Sequence, residues 1–250
     1  MVLRVYLRFY GSLNDFLPDE RRQTGFVHTL KEPGSVKDTI EALGVPHPEV
    51  GLIVVNGESV SFAYLVQDGD RISVYPMFCN LDITAISQVQ PSPLAPFRLV
   101  LDVHLGKLAT YLRLLGLDVL YRNDYDDEEL AEISSRENRM LLTQDRALLK
   151  RGKVIYGYLV RNSDPLQQVA EVLKRFDLME KIQPMSRCLR CNGQLKPVKK
   201  EDIYDRLPPL TRQHYDEFAQ CQACQQIYWQ GAHFKGIQEF IQTLQNQSNV

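Results

Sequence analysis

Four cysteines and a set of aspartates carry the chemistry that this chain could perform. Cys188-Leu189-Arg190-Cys191 and Cys221-Gln222-Ala223-Cys224 are two CxxC pairs separated by 29 residues, a spacing that lets four thiolates close tetrahedrally on one Zn2+ ion. A redox pair is the alternative for a lone CxxC, but two in tandem, each beside strand-like residues, read as a structural zinc ribbon. The acids are organised differently. Asp102 closes a short apolar run at 98–103, Asp124 with Asp126 and Asp127 follows one at 117–121, and Asp145 follows one at 139–143. Carboxylates gathered from separate parts of a chain repel one another unless a cation lies among them, so the chemistry they imply is that of a divalent metal held by oxygen.

The elements that must position these acids follow from periodicity. Each apolar run precedes residues at helical spacing, which is the rhythm of a parallel sheet with crossover helices, and ligands of such sheets collect at the carboxyl ends of the strands. In the first crossover, Leu105, Leu108, Leu112 and Leu115 form a buried stripe. Lys107, Thr110 and Arg113 fall opposite, leaving Lys107 and Arg113 to meet an anionic substrate. Asp126 and Glu129 form a capping pair, so a pure N-cap role competes with a ligand role for Asp126 and Asp127. Residues 154–160 read as a fourth strand and 165–178 as a fourth helix. Pro165 at its first position makes Asp164 an N-cap before it is a ligand. Neither a GxGxxG nor a GxxxxGK[ST] motif occurs, which argues against a dinucleotide-binding domain and a P-loop NTPase.

With 250 residues, 44% of them hydrophobic, the chain is long enough for one large or two to three small domains. No apolar run approaches the roughly 18 residues needed to span a membrane, and the N-terminus lacks a signal-peptide core. The expectation is a soluble cytoplasmic protein with no membrane partner. Residues 1–97 carry 7 Lys/Arg against 11 Asp/Glu, residues 98–183 carry 14 against 14, and residues 184–250 carry 8 against 6, so the C-terminal two-thirds is the better match for nucleic acid.

Before the acids, 2–10 and 24–30 read as strands, Ser35 and Asp38 as the start of a helix through Leu43, and GLIVVNG and QDGDRISVYP as further strands and turns. Two strands, a helix and two or more strands in about 76 residues is a β-grasp arrangement. VVNGE and LVQDGDRISVYP resemble the ubiquitin-like sulfur carriers, but the strand runs on through Pro76 and Met77 where those carriers end in Gly-Gly. Residues 1–78 are therefore read as an interaction or scaffold module able to engage a protein partner. Residues 79–96, with prolines at 91, 93 and 96, read as an extended linker with few contacts, and Cys79 as an ordinary thiol. The segment between the CxxC pairs holds Lys196, Lys199, Lys200, Arg206 and Arg212, which could follow a phosphate backbone or lie on a solvated insertion. Tyr228, Trp229, His233 and Phe234 could stack on bases or cover a small ribbon core.

The runs DVHLGKLATYLRLLGLDVLY, DDEEL, LLTQDRALLKR, SRCLRCNGQL and CQACQQIYWQGAHF together resemble the Mut-seven C-terminal RNase family, a PIN-like domain followed by a zinc ribbon. The N-terminal unit resembles the ubiquitin-like module often fused ahead of it. The resemblance implies an α/β fold with a PIN-like parallel sheet at 97–183, preceded by the β-grasp module at 1–78 and followed by the ribbon at 184–250. It further implies hydrolysis of single-stranded RNA with Mg2+ or Mn2+. Carried over by position, Asp102 matches the first-strand acid, Asp127 the acid opening a later helix, and Asp145 the acid of the TxD element. The glutamate that PIN domains carry on an intervening helical pair has no counterpart, and Asp124 is the candidate for its role. Lys107, Arg113 or Arg146 would hold the scissile phosphate. The competing class is a non-catalytic RNA-binding or adaptor protein working through the ribbon and β-grasp module. A phospho-accepting receiver with Asp102 as acceptor is weaker, since it lacks the acidic pair and distal lysine.

Overall fold

The structure, a computed structural model, describes residues 2–79 and 81–231, with Gly236, Glu239 and Gln242 beyond. In chain order the elements are β1 (Leu3–Phe9), β2 (Gly25–Leu30), α1 (Val36–Ala42), β3 (Val50–Val55), β4 (Glu58–Ser59), β5 (Arg71–Pro76), β6 (Leu99–Leu101), α2 (Gly106–Leu114), β7 (Val119–Leu120), α3 (Asp127–Glu137), β8 (Met140–Thr143), α4 (Arg146–Leu149), β9 (Gly157–Leu159), α5 (Pro165–Arg175), β10 (Leu195–Val198), α6 (Lys200–Ile203), α7 (Pro209–His214), β11 (Phe218–Cys221) and β12 (Ile227–Tyr228). They form two compact units, one of Met1–Asp102 with Tyr125–Val160, the other of Val103–Asp124 with Arg161–Val250. Among the described residues no helix is long and apolar enough to cross a membrane.

In the first unit, β1 alternates Leu3, Val5, Leu7 and Phe9 inward with Arg4, Tyr6 and Arg8 outward. Its period of two places it on a half-buried sheet of order β2-β1-β5-β3-β4, with β1 parallel to β5 and antiparallel to β2, the β-grasp pattern. The Ser35 hydroxyl accepts the Asp38 N–H at 3.1 Å and starts α1, which buries Val36 and Ile40 against this sheet's core. Strands β6, β8 and β9 form a parallel sheet in register Leu101↔Leu142 and Thr143↔Leu159. Every residue of these strands is buried, as a parallel sheet covered on both faces requires. Helix α3 begins with the capping box of Asp126 and Glu129 and packs Leu130, Ala131 and Ile133 inward.

Residues 79–96 do not run as a chain with few contacts. Ser87 donates to the Gly51 carbonyl at 2.6 Å, Gln88 to Ser59 O at 2.6 Å, and Gln90 bonds both the N–H and the carbonyl of Phe78. The polar side chains just before the prolines hold this segment along the β-grasp strands. The turn His47-Pro48-Glu49 then reaches β9: Glu49, 1% exposed, accepts the Leu159 N–H at 2.8 Å, and His47 Nε2 lies 2.8 Å from Val154 O. Gly157 has no side chain because a Cβ there would sit 2.7 Å from Leu149 and 3.2 Å from Pro48. Lys150 donates to Glu41 O at 2.6 Å, and the Arg146 guanidinium lies over the Phe16 ring at 5.3 Å. The β-grasp segment thus satisfies backbone groups of a strand that would otherwise present an open edge.

In the second unit, α2 buries Leu108, Ala109 and Leu112 and packs against α5, whose N-cap is Asp164. The ribbon strands β10, β11 and β12 are antiparallel, Leu195 opposite Cys221 and Ala219 opposite Tyr228. The insertion between the CxxC pairs folds into α6 and α7 and supplies Ile203 and Leu207 to a core with Phe218 and Ile227. Three of its cations are engaged: Lys200 pairs with Asp216, Arg212 donates to Leu207 O and Asp205 O, and Arg206 to Gln225 O.

Candidate active site and metal centre

Two of the acids meet through a threonine. Asp102 follows β6, where its N–H continues the parallel ladder to Leu142 O, and its carboxylate is 5% exposed. Its Oδ2 accepts the Thr143 hydroxyl at 2.6 Å, and Thr143 Oγ1 in turn accepts the Asp145 N–H at 2.9 Å. Asp145 caps α4, its Oδ1 accepting the Ala147 N–H at 2.7 Å, so its position is fixed while its side chain stays exposed. Parallel register places these residues at the carboxyl ends of adjacent strands, the edge where α/β sheets bind ligands. Among the described residues no lysine or arginine pairs with Asp102.

The other acids are engaged elsewhere. Asp127 opens α3 and lies 3.4 Å from Arg151, while Arg151 and Lys153 hold Glu128 at 2.9 and 2.6 Å. Asp124, in the second unit, is clamped by Arg122 through two bonds of 2.8 and 2.7 Å; those bonds hold its carboxyl below the usual range. Asp102, Asp127 and Asp145 do not bring their carboxylates within 4.8 Å of one another as the cysteines do their sulfurs. Lys107 and Arg146 are exposed.

Arg113 corrects the expectation that it faces a substrate. It is 4% exposed, and its guanidinium donates to Val119 O and Leu189 O at 2.9 Å and to Arg190 O and Tyr121 O at 3.4 Å. Burial lowers its pKa and the thiols of Cys188 and Cys191 draw it back up. The reason for the difference is that a guanidinium has five donors in a fixed fork and can be buried where it finds carbonyls, which helical spacing cannot reveal. Arg113 braces the first cysteine turn against α2 and β7.

Cys188 and Cys224 are 3.5 Å apart at sulfur, as are Cys191 and Cys221, and all four sulfurs lie within 4.8 Å of one another. A tetrahedral zinc–thiolate centre with bonds of about 2.3 Å puts sulfurs about 3.8 Å apart, so the set fits Zn2+. Burial raises the Cys188 thiol, yet the Tyr228 hydroxyl at 3.1 Å and neighbouring N–H groups outweigh it and bring it down to about 6; burial and the other sulfurs push Cys191 up to about 12. Four sulfurs this close cannot all carry charge unless a cation shares it. Gly193 is required here, since a Cβ would lie 2.9 Å from the Cys221 sulfur.

Sequence reasoning passed over two of these residues, Thr143 and Asn192. Thr143 had a signal, a hydroxyl two residues before an acid at a strand end. Asn192 follows the first CxxC with φ of 65°, and its side chain accepts the Val119 N–H at 3.0 Å and donates to Asp118 at 2.8 Å; an Asn-Gly turn was its cue. Tyr228, read as stacking on bases or covering the ribbon core, commits its hydroxyl to Cys188 and the Arg190 N–H. His233 and Phe234 lie outside the described residues.

A ubiquitin-like sheet, a parallel α/β sheet with acids at its carboxyl edge and a four-cysteine ribbon define a mixed α/β, metal-binding protein. The family described as "Mut7-C RNAse domain" matches residues 97–241, more than half of the chain, and the chain belongs to that family. Residues 2–82 match the family described as "Mut7-C ubiquitin". A human protein named "Exonuclease mut-7 homolog" is 32% identical over 146 residues, covering 54% of this chain and 17% of that protein. This chain therefore corresponds to about a sixth of that relative's length. The family is described as an RNase domain and that relative is named an exonuclease.

Proposed function

We propose that the chain hydrolyses phosphodiester bonds of single-stranded RNA with Mg2+ or Mn2+ as catalytic ion, the ribbon zinc being structural. The observation that carries this reading is the Asp102–Thr143–Asp145 network. Asp102 is 5% exposed with the Thr143 hydroxyl on one oxygen, and a carboxylate at the carboxyl edge of a parallel sheet is a hard oxygen ligand suited to a divalent cation. Mg2+ is commonly held by one or two carboxylates, completing its shell with waters and substrate phosphate oxygens, so a pair of aspartates suits it. Such an ion, when bound, lowers the pKa of water and offsets charge developing on the phosphate. Asp102 and Asp145 would hold it, with Thr143 fixing their separation. Asp127 would join only by releasing Arg151. Arg146 is the exposed cation of the same unit proposed to meet phosphate.

The division of labour in this reading is a β-grasp module at 1–78, a connecting segment at 79–96, a PIN-like nuclease domain at 97–183 and the ribbon at 184–250. The β-grasp module offers the cross-strand pair Tyr6 and Val27, 38% and 65% exposed, to a protein partner. A thiolate-held zinc suits a reducing compartment such as the cytoplasm.

The test is cleavage of a labelled single-stranded RNA by zinc-loaded protein with added Mn2+ or Mg2+. Asp145→Asn and Asp102→Asn should each lose most activity while staying folded, and the double variant should be hardly worse than either, because ligands of one ion act as a unit. RNA cleavage that survives both substitutions, or proceeds without added divalent ion, defeats the metal-site assignment; RNA that is bound but not cleaved by wild-type protein under any divalent ion favours the non-catalytic RNA-binding adaptor.

A further inference from the structure

The ribbon carries a cleft of about 370 Å3 that borders the zinc site at Cys224 and lies outside the aspartate pair. Leu207, Pro208 and Ile227 form its apolar part, the Trp229 indole lines it, and the exposed side chains of Arg190 and Arg206 flank it. No acidic residue lines it. Trp229 is held by Phe218 and Tyr215, whose ring centroids are 6.5 and 6.3 Å away at interplanar angles of 61° and 48°; among the described residues no ring stacks parallel on the indole. Arg206 is pre-positioned by its 2.6 Å bond to Gln225 O, and Arg190 leaves the turn whose N–H meets the Tyr228 hydroxyl. An indole, two cations and apolar side chains lining one cleft match a ligand that is flat and apolar at one end and anionic at the other.

We infer that this cleft binds one nucleotide of a single-stranded RNA, the base against Trp229 and the adjoining phosphates on Arg190 and Arg206. The choice of RNA as the strand rests on the nuclease reading above; the cleft chemistry itself rests on the ribbon. Stacking on an aromatic ring tolerates any base and adds affinity, while the arginines make binding salt-dependent. An acidic peptide would use the cations but not the indole plane.

Trp229 is the only tryptophan of the chain, so its fluorescence reports occupancy directly. A short oligoadenylate titrated into zinc-loaded full-length protein, with no Mg2+ or Mn2+ added, should quench that fluorescence saturably. The Arg190→Gln/Arg206→Gln double variant should keep its zinc, bind roughly tenfold or more weakly, and show a log–log salt dependence shallower by about 0.7 for each phosphate no longer neutralised. With a labelled oligomer read by anisotropy, Trp229→Phe should retain binding and Trp229→Leu should lose roughly ten- to a hundredfold. Absence of quenching, an unchanged salt slope in the double variant, or equal binding of an abasic oligomer overturns the proposal. Quenching that persists in Asp145→Asn protein whose cleavage is unaffected leaves the cleft standing and sinks only the nuclease assignment; Asp145-dependent cleavage without quenching does the reverse.

Discussion

In the ribbon, four sulfurs from two short turns lie within 4.8 Å of one another; in the parallel sheet, Asp102 and Asp145 reach each other only through the Thr143 hydroxyl. The difference follows from how the ligands are delivered. A CxxC turn places two thiols side by side by local backbone geometry, so joining two turns completes the site. Asp102 and Asp145 come from two strands whose register must be set first. Zinc prefers a closed set of soft ligands, whereas a catalytic Mg2+ or Mn2+ needs open positions for water and substrate, so an incomplete protein shell is what that chemistry requires.

The largest effect expected from this contrast is on the thiol site. Cys221→Ser should abolish stoichiometric zinc binding and unfold the ribbon, because structural zinc contributes on the order of 10 kcal/mol to such small units. Metal analysis and circular dichroism check it, and a ribbon still folded without zinc would show that the Ile203, Leu207, Phe218 and Ile227 core suffices alone.

Next in size is the dependence of the acid pair on the N-terminal module. The sequence pattern alone says that protein beginning near Ala95 should fold and keep its activity. With Glu49 buried against Leu159 and His47 against Val154, we expect that truncation to unfold the parallel sheet or leave it aggregating, since it opens an edge strand. Glu49→Leu removes the acceptor of the Leu159 N–H and should cost at least about 1–3 kcal/mol, the penalty of a buried N–H left unpaired. Denaturant titration decides it, and a stable truncated protein would make the β-grasp module separable after all.

Thr143→Val keeps the shape of the residue linking Asp102 and Asp145 while removing its hydroxyl. Loss of both bonds should cost about 1–3 kcal/mol of stability, and cleavage should fall further than stability alone explains. Unchanged cleavage would mean that the two acids do not need a fixed separation.

The smallest effect lies at the opposite edge of the same sheet, where charges are paired. Arg139, 8% exposed, bonds Glu137 at 2.8 Å and Leu99 O at 3.1 Å, and this guanidinium holds the Glu137 carboxyl below its usual value. A depressed folded pKa means that the unfolded chain binds the proton first. The stabilisation is therefore complete above the ordinary glutamate pKa of 4.5 and is lost as pH falls through the lower folded value. Glu137→Gln should remove up to about 1 kcal/mol at neutral pH and flatten that part of the acid titration. An equal acid slope in variant and wild type would assign it to other carboxylates.

What the sequence settled by itself was whatever depends on neighbours along the chain. The alternation of β1, the caps at Ser35, Asp126 and Asp164, the parallel-sheet rhythm and the two cysteine turns are all legible because strand pleat, helix capping and CxxC geometry are local. The tertiary structure decided which of these parts meet. Glu49 caps an N–H 110 residues away, Arg113 donates to carbonyls up to 77 residues away, and Asp102 finds Asp145 through a threonine 41 residues on. Periodicity records which face a side chain leaves by, but not what waits across the gap, and a buried guanidinium or carboxylate shows the same spacing as an exposed one until the packing supplies its partners.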